Sequence, residues 1–179
     1  MTEILERPTE QAKRQSPVEV RKLGHVVFYV ADVERSIKFY TEILNFRVSD
    51  VNENGMVFFT TCGDHHTLAI APAAAGAAAQ QSPKGQLGLS HFAMEVGSLD
   101  ELFEIRKFLK EEGVPITFEG RKGPGCNTGV EFHDPDGYTV ELYWKMDQIA
   151  PGQPSRPGSQ WKRVRSLEDA RDNPLPETW

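Results

Sequence analysis

The chain is poor in cysteine, in positive charge and in long apolar runs. Its 179 residues include two cysteines, Cys62 and Cys126, which cannot form a disulfide framework and favour a reducing setting. The net charge of −6 argues against a nucleic-acid partner, which would need a basic face. No apolar run approaches the roughly 20 residues of a membrane span, and the N-terminus lacks the apolar segment of a secretory signal. We therefore expect a cytoplasmic protein that binds neither nucleic acid nor membrane.

Polar and low-complexity stretches divide the chain. The first residues are polar, the final segment begins with a Pro- and Gly-rich run, and an Ala-rich connector in the middle has no core pattern. The predicted organisation is an N-terminal arm at 1–19, a single domain at 20–149 with modules at about 20–72 and 87–149, a connector at 73–86, and a tail at 150–179.

The first module begins with a strand, a helix and a hairpin. His25–Val30 is rich in β-branched and aromatic residues, which predicts a strand. Asp32 is placed to cap a helix over the following VERSIKFYTEIL, which carries an apolar stripe at helical spacing. Asn54-Gly55 indicates a tight hairpin turn. Three further strands are predicted at 46–51, 56–61 and 66–71.

The second module repeats the same order. A strand at His91–Val96 precedes a helix that Ser98 caps and Gly113 ends. Strands are predicted at 115–119, 129–133 and 138–144, with the turn Asp134-Pro-Asp-Gly137 between the last two. The fold class is therefore α+β, with two βαβββ modules forming a curved mixed sheet around a cleft that could bind a metal. Chance similarity of two α/β units is the alternative.

Three polar residues in these strands are candidate metal ligands. His25 and His91 occupy equivalent positions in the two modules, so pseudo-symmetry should bring them face to face across the cleft. Glu141 interrupts an apolar strand, where a buried carboxylate is costly unless it is paired or bound to a metal. Two imidazoles and one carboxylate can hold Fe(II) and leave positions open for substrate and dioxygen, although Mn(II), Zn(II) and Ni(II) remain possible. Surface histidines and an edge-strand glutamate are the alternatives.

The stretches LGHVVFYVADVERSIKFYTEILNF, GLSHFAMEV and FHDPDGYTVELYW resemble the vicinal oxygen chelate superfamily. This superfamily includes glyoxalase I, fosfomycin-modifying enzymes, bleomycin-resistance proteins and extradiol ring-cleavage dioxygenases. The matching stretches span nearly all of residues 20–145, and His25, His91 and Glu141 fall on the superfamily's metal positions. The resemblance implies that these three residues bind one divalent metal.

The stretch GDHHTLAI is similar to the extradiol dioxygenases, in which a His-His pair precedes the last strand of the first module. The resemblance implies that His66 is the acid/base residue that takes the proton of a catechol, a task that suits a group with pKa near neutrality. His65 would then be its neighbour beside the site. Two exposed turn histidines are the alternative. Glyoxalase I places a fourth ligand on the strand that here reads Thr67–Ile70, which offers none.

Other positions depart from the extradiol pattern. Glu131 stands where these enzymes carry a substrate-binding tyrosine. Asn127 is a candidate for a polar residue beside the ligands, and Arg121 for a residue that neutralises an acidic substrate. The tail resembles a segment that closes over the cleft in some extradiol enzymes, with a disordered extension or an oligomer contact as the alternative.

The sequence as a whole predicts an Fe(II)-dependent extradiol dioxygenase that opens a catechol-type aromatic diol with dioxygen. Mn(II) is a possible replacement for iron, and Zn(II) or Ni(II) fits less well. Because the chain has room for only one pair of modules, we expect a homo-oligomer. Two other functions remain open: a glyoxalase-like lyase, isomerase or thiol transferase that uses no dioxygen, and non-enzymatic binding of a small molecule as in bleomycin resistance.

Overall fold

The first module folds as one strand, one helix and three further strands, in the predicted order. The computed structural model describes residue 18, residues 20–77 and residues 87–176. Most of the expected N-terminal arm and residues 78–86 of the expected connector lie outside the described residues. The elements of the first module are β1 (Val26–Val30), α1 (Val33–Lys38), β2 (Arg47–Val51), β3 (Val57–Thr60) and β4 (Leu68–Pro72).

The second module has the same order, and a further helix follows in the tail. Its elements are β5 (Phe92–Glu95), α2 (Leu99–Glu111), β6 (Ile116–Arg121), β7 (Thr128–His133) and β8 (Thr139–Trp144), with α3 (Leu167–Asp172) in the tail. The α+β fold of two βαβββ modules is thus confirmed.

Helices α1 and α2 begin at the predicted caps. The side chain of Asp32 accepts a hydrogen bond from the backbone N of Arg35, at 3.0 Å, and that of Ser98 accepts one from Glu101, at 3.1 Å. The first helix is not uniform, however, because it changes after Lys38 to a π-helical turn over Phe39–Ile43. This turn buries Tyr40 completely and thereby directs it toward the second module.

Each module forms its own four-stranded mixed sheet. The strand orders are β1-β4-β3-β2 and β5-β8-β7-β6, and in each sheet the first strand pairs in parallel with the last while the other pairs are antiparallel. Strand β5 lies next to β8, with Ala93 in register with Glu141. This pairing places the start of β5, where His91 stands, close to the carboxylate on β8.

The two modules share one apolar core and one polar joint. Phe28 of β1 packs against Phe92 and Tyr138 of the second module, with ring centroids 5.5 and 4.4 Å apart. The joint is the Asp134–Gly137 turn, where the buried Asp134 accepts a 2.8 Å hydrogen bond from the hydroxyl of Tyr40. Contacts of this turn therefore set how the first module sits against the second.

The tail packs along the outer edge of the second sheet. Val164 pairs with Arg121 in an antiparallel bridge, with N–O distances of 3.1 and 3.2 Å. The guanidinium of Arg121 is 4% exposed and donates to the carbonyls of Ala170, Asn173 and Lys162 at 2.7, 3.0 and 3.2 Å. Arg121 thus holds the end of α3 at the edge of the sheet.

The longest helix among the described residues, α2, has 13 residues and is amphipathic. In the part of the chain that the structure describes, no helix has the length and apolar character needed to cross a bilayer.

Gly120→Ala should detach the tail. Gly120 has φ +126°, and a Cβ there would lie 2.3 Å from the backbone oxygen of Val164. The left-handed backbone alone costs roughly 1–3 kcal/mol for a non-glycine residue. We expect the free energy of unfolding to fall by at least this amount and proteolysis of the tail to accelerate. Gly24→Ala is the matched control, because a Cβ at Gly24 meets nothing within 4 Å. Equal stability of the two variants would contradict the tail docking.

Tyr40→Phe should weaken the joint between the modules. It removes the donor to a buried carboxylate, which costs about 1–3 kcal/mol. Burial raises the pKa of Asp134 above its ordinary 3.8, and the bond from Tyr40 opposes that rise. With a raised folded-state pKa, the contribution of Asp134 to stability is present at acid pH and is lost as pH rises.

Without the bond from Tyr40, the pKa of Asp134 rises further in the folded variant than in the parent. The stability deficit of Tyr40→Phe should therefore grow as pH rises above 3.8, and denaturant unfolding from acid to neutral pH measures it. Tyr29→Phe is the control, since Tyr29 is 67% exposed. A deficit that does not change with pH would show that the bond to the ionised carboxylate is not what stabilises the joint.

Candidate metal centre

Glu141 is the buried carboxylate of the second sheet. In β8, Val140 lies in the apolar core and Glu141 faces the opposite side of the sheet, because side chains alternate along a strand. The side chain of Glu141 is 3% exposed, and Nε2 of His91 lies 3.4 Å from its Oε2 atom. The structure therefore brings together His91 and Glu141, two of the three predicted ligands.

Both oxygens of Glu141 have a partner. The amide nitrogen of Asn127, which is 5% exposed, donates to Oε1 at 2.6 Å. The ammonium of Lys122 donates to Oε2 at 2.9 Å. Asn127 was expected to lie beside the ligands, and its bond fixes the orientation of the carboxylate.

Lys122 is the residue that sequence reasoning missed. It follows Arg121 directly, and the two basic side chains point in opposite directions, Arg121 into the tail and Lys122 onto the carboxylates. The signal was a pair of basic residues at the end of a strand, but which of them faces the site depends on the pairing of β6. Arg121 makes three bonds to the tail; these contacts give no support to the expected role toward a substrate.

Glu131 on β7 stands directly opposite Glu141 on β8. The ammonium of Lys122 also contacts the carboxylate of Glu131. Burial lowers the pKa of Lys122, but the hydrogen bonds and charges of the two glutamates outweigh it, so that the pKa is raised. Among the described residues, His91, Glu131 and Glu141 bring one possible ligand atom each within 4.8 Å of one another.

His25 lies outside this set. Its ring packs on that of His66, with centroids 4.6 Å apart. The expected ligation by His25 therefore stays a prediction. His25 and His91 nevertheless line one open groove of about 1790 Å³ between the modules, together with apolar side chains that include Leu44, Phe46, Met94, Phe108 and Trp144.

The two histidines before β4 differ in their exposure to solvent. His66 is partly buried between the rings of His25 and Phe58, whereas His65 is 61% exposed and lies 3.8 Å from the carboxylate of Asp50. Burial and the neighbouring charges of His25 and His65 lower the pKa of His66. The lowered pKa favours the neutral ring of His66, which can accept a proton.

The chemistry of His91, Glu131 and Glu141 fits a divalent cation. A buried carboxylate, a second carboxylate and an imidazole are ligands that Fe(II) and Mn(II) accept. The ammonium of Lys122 already lies between the two carboxylates, so the protein itself shows that this place attracts a cation. Strand β4, from Leu68 to Pro72, contributes no ligating side chain.

Known proteins are similar to this chain in sequence and in fold. The profile of the Glyoxalase/Bleomycin resistance protein/Dioxygenase superfamily matches residues 22–142. Biphenyl-2,3-diol 1,2-dioxygenase of Metapseudomonas furukawaii is 30% identical over 170 residues, which are 87% of this chain and 53% of that protein. The chain thus spans about half the length of this relative.

Two other similar proteins have names that describe different activities. A probable lactoylglutathione lyase of Vibrio parahaemolyticus is 29% identical over 126 residues, which cover 68% of this chain and 88% of that protein. The fosfomycin resistance protein FosX of Listeria monocytogenes, solved with Mn(II) and sulfate, aligns with a TM-score of 0.56 at 20% identity, over 72% of this chain and 93% of that structure. The chain belongs to the Glyoxalase/Bleomycin resistance protein/Dioxygenase superfamily.

Proposed function

We propose that this protein is a metal-dependent extradiol dioxygenase that opens the ring of a catechol-type diol with dioxygen. The observation that carries the proposal is the pairing of His91 with the buried carboxylate of Glu141, held by Asn127, beside a place that attracts a cation. The similarity to a biphenyl-diol dioxygenase supports the same chemistry. In the overall reaction the carbon–carbon bond next to the two hydroxyls breaks, and both atoms of dioxygen enter the product.

We propose iron(II) as the metal. Mn(II) is the alternative, because the structure of the similar protein FosX contains it. His91 and Glu141 would hold it, with His25 as the third ligand. Bound there, the metal would supply a Lewis acid that makes the protons of the diol easier to remove. The residues of the chain would orient the diol and remove its proton.

The groove between the modules reaches the proposed metal site at His25 and His91. Its lining is largely apolar, as the walls of small-molecule sites usually are, but Met94 lies on the core side of the second sheet, opposite Glu141. His66 has a lowered pKa and lies next to His25, so its neutral ring can accept the proton of a diol hydroxyl and later return it.

A glyoxalase-like lyase or isomerase is the second candidate. The observation that favours it is Glu131, which would add a second carboxylate to the metal set of His91 and Glu141. The Vibrio lyase, which the chain covers over most of its length, agrees with this reading. The two candidates differ in the third ligand and in the need for dioxygen.

The first test is metal retention. We expect the protein purified without oxygen to bind one Fe(II) or Mn(II) per chain, and the variants His25→Ala, His91→Ala and Glu141→Ala to lose it, as measured by elemental analysis. His133→Ala is the control, because His133 is exposed at the end of β7. If His25→Ala keeps its metal while Glu131→Ala loses it, the ligand set is the glyoxalase-like one.

For His25 and His91 to bind the same metal, the two histidines must come together. The His25 that does so belongs either to the same chain or to a second copy of the chain. Mixing the variants His25→Ala and Glu141→Ala distinguishes these routes. If the ligands come from two chains, each mixed dimer regains one intact site and binds metal. If they come from one chain, neither partner can supply a complete set, and the mixture stays metal-free.

The second test concerns His66. A positioned acid/base group contributes about 10²–10⁴-fold, so His66→Ala should lower turnover of a good catechol by roughly this factor while the metal stays bound. His65→Ala is the matched comparison and should cost less, because the ring of His65 contacts that of His66, with 3.1 Å between the Nδ1 atoms, but otherwise lies against Asp50 and solvent. The measurement is the yellow ring-opened product formed by the Fe(II)-loaded protein. Absence of product from a panel of catechols, with metal bound, would favour the lyase.

A further inference from the structure

The ammonium of Lys122 neutralises two carboxylates that the sheet forces together. Glu131 and Glu141 are direct partners across β7 and β8, and like charges at such positions repel each other. Lys122 contacts both of them, and its side chain is only 28% exposed. Without a cation at this place, the sheet would hold two opposed negative charges largely out of water.

The ammonium of Lys122 also contacts the carboxylate oxygen of Glu141 that a metal would bind. Oε1 of Glu141 is engaged by Asn127, which leaves Oε2 as the ligating oxygen. That oxygen is 3.4 Å from Nε2 of His91 and 2.9 Å from the ammonium of Lys122. A metal bonded to Oε2 at about 2.0–2.2 Å would stand close to the ammonium, and the two cations would repel each other.

We propose that Lys122 is an internal counter-cation that a divalent metal displaces from Glu141 onto Glu131. The inference rests on the proposed metal site, and it assigns Glu131 the role of holding the lysine rather than the metal. Lys122 needs no long movement, because its ammonium already contacts Glu131 and lies 5.5 Å from the ring centroid of Phe118. In the metal-bound protein Lys122 and Glu131 then form a neutral pair beside the metal.

The charges of this pair predict how metal affinity responds to substitution. Lys122→Met removes the competing cation and leaves Glu131 as an uncompensated negative charge, so the affinity for the metal should rise at least about tenfold. The free energy that corresponds to this change is only a small part of the Coulomb energy of charges in contact. Glu131→Gln leaves the ammonium on Glu141 alone, so affinity should fall by a similar factor. The double variant removes a neutral pair and should return to within a few-fold of the parent.

The experiment is titration of the metal-free protein and the three variants with Mn(II), followed by calorimetry or chelator competition, together with thermal unfolding of the metal-free forms. Lys122→Met should unfold at lower temperature without metal and gain more from added Mn(II) than the parent does. Lys122→Arg, which keeps the charge, should remain close to the parent. Lys107→Met is the control for net charge, because Lys107 is 70% exposed on α2, where its partner is Glu111.

The outcomes separate this inference from the proposed function. If the parent binds no Mn(II) or Fe(II), the proposed metal site itself fails. If the parent binds metal and Lys122→Met binds it with unchanged affinity, the counter-cation role is overturned while the metal site stands. If the double variant binds as weakly as Glu131→Gln, Glu131 is a metal ligand and the assignment is wrong. Should Lys122→Met fail to fold, the double variant and Lys122→Arg still decide between these outcomes.

Discussion

The carboxylate of Glu141 is the constraint on which the second module depends. A charged group that is 3% exposed must be paired, because an isolated buried charge costs far more than a folded domain can tolerate. Asn127 engages one oxygen, and Lys122 and His91 approach the other. The polar groups around Glu141 come from the residue before β5, the residue after β6 and the loop before β7, so three separate parts of the second module converge on one buried carboxylate.

The tail contributes to this arrangement from behind the site. Lys122 and Asn127 stand at the two ends of a short loop, and that loop is covered by the tail. A Cβ at Gly123 would lie 2.7 Å from the side chains of Trp161 and Arg163, so the close approach requires glycine there. The buried thiol of Cys126 donates to the carbonyl of Gly123 in the same loop. The tail therefore packs against this loop and limits its movement.

The sequence was sufficient for the order of elements and for part of the site. Helix caps such as Asp32 and the in-strand position of Glu141 are local signals, and each agreed with the structure. The direction of Lys122 was not local, because it depends on how β6 pairs with β7 and on the tail bonds of Arg121. The distance of His25 from His91 was even less accessible, since it follows from contacts between modules, such as Tyr40 with Asp134, that no repeat pattern encodes.

One hairpin connects these two levels of organisation. The turn between β7 and β8 carries Asp134 and Asp136, which bind Tyr40 and Arg35 of the first module. The strands of the same hairpin carry Glu131 and Glu141. The hairpin that joins the modules is therefore also the one that fixes both carboxylates. Docking of the modules and the placement of the two carboxylates therefore depend on the same hairpin.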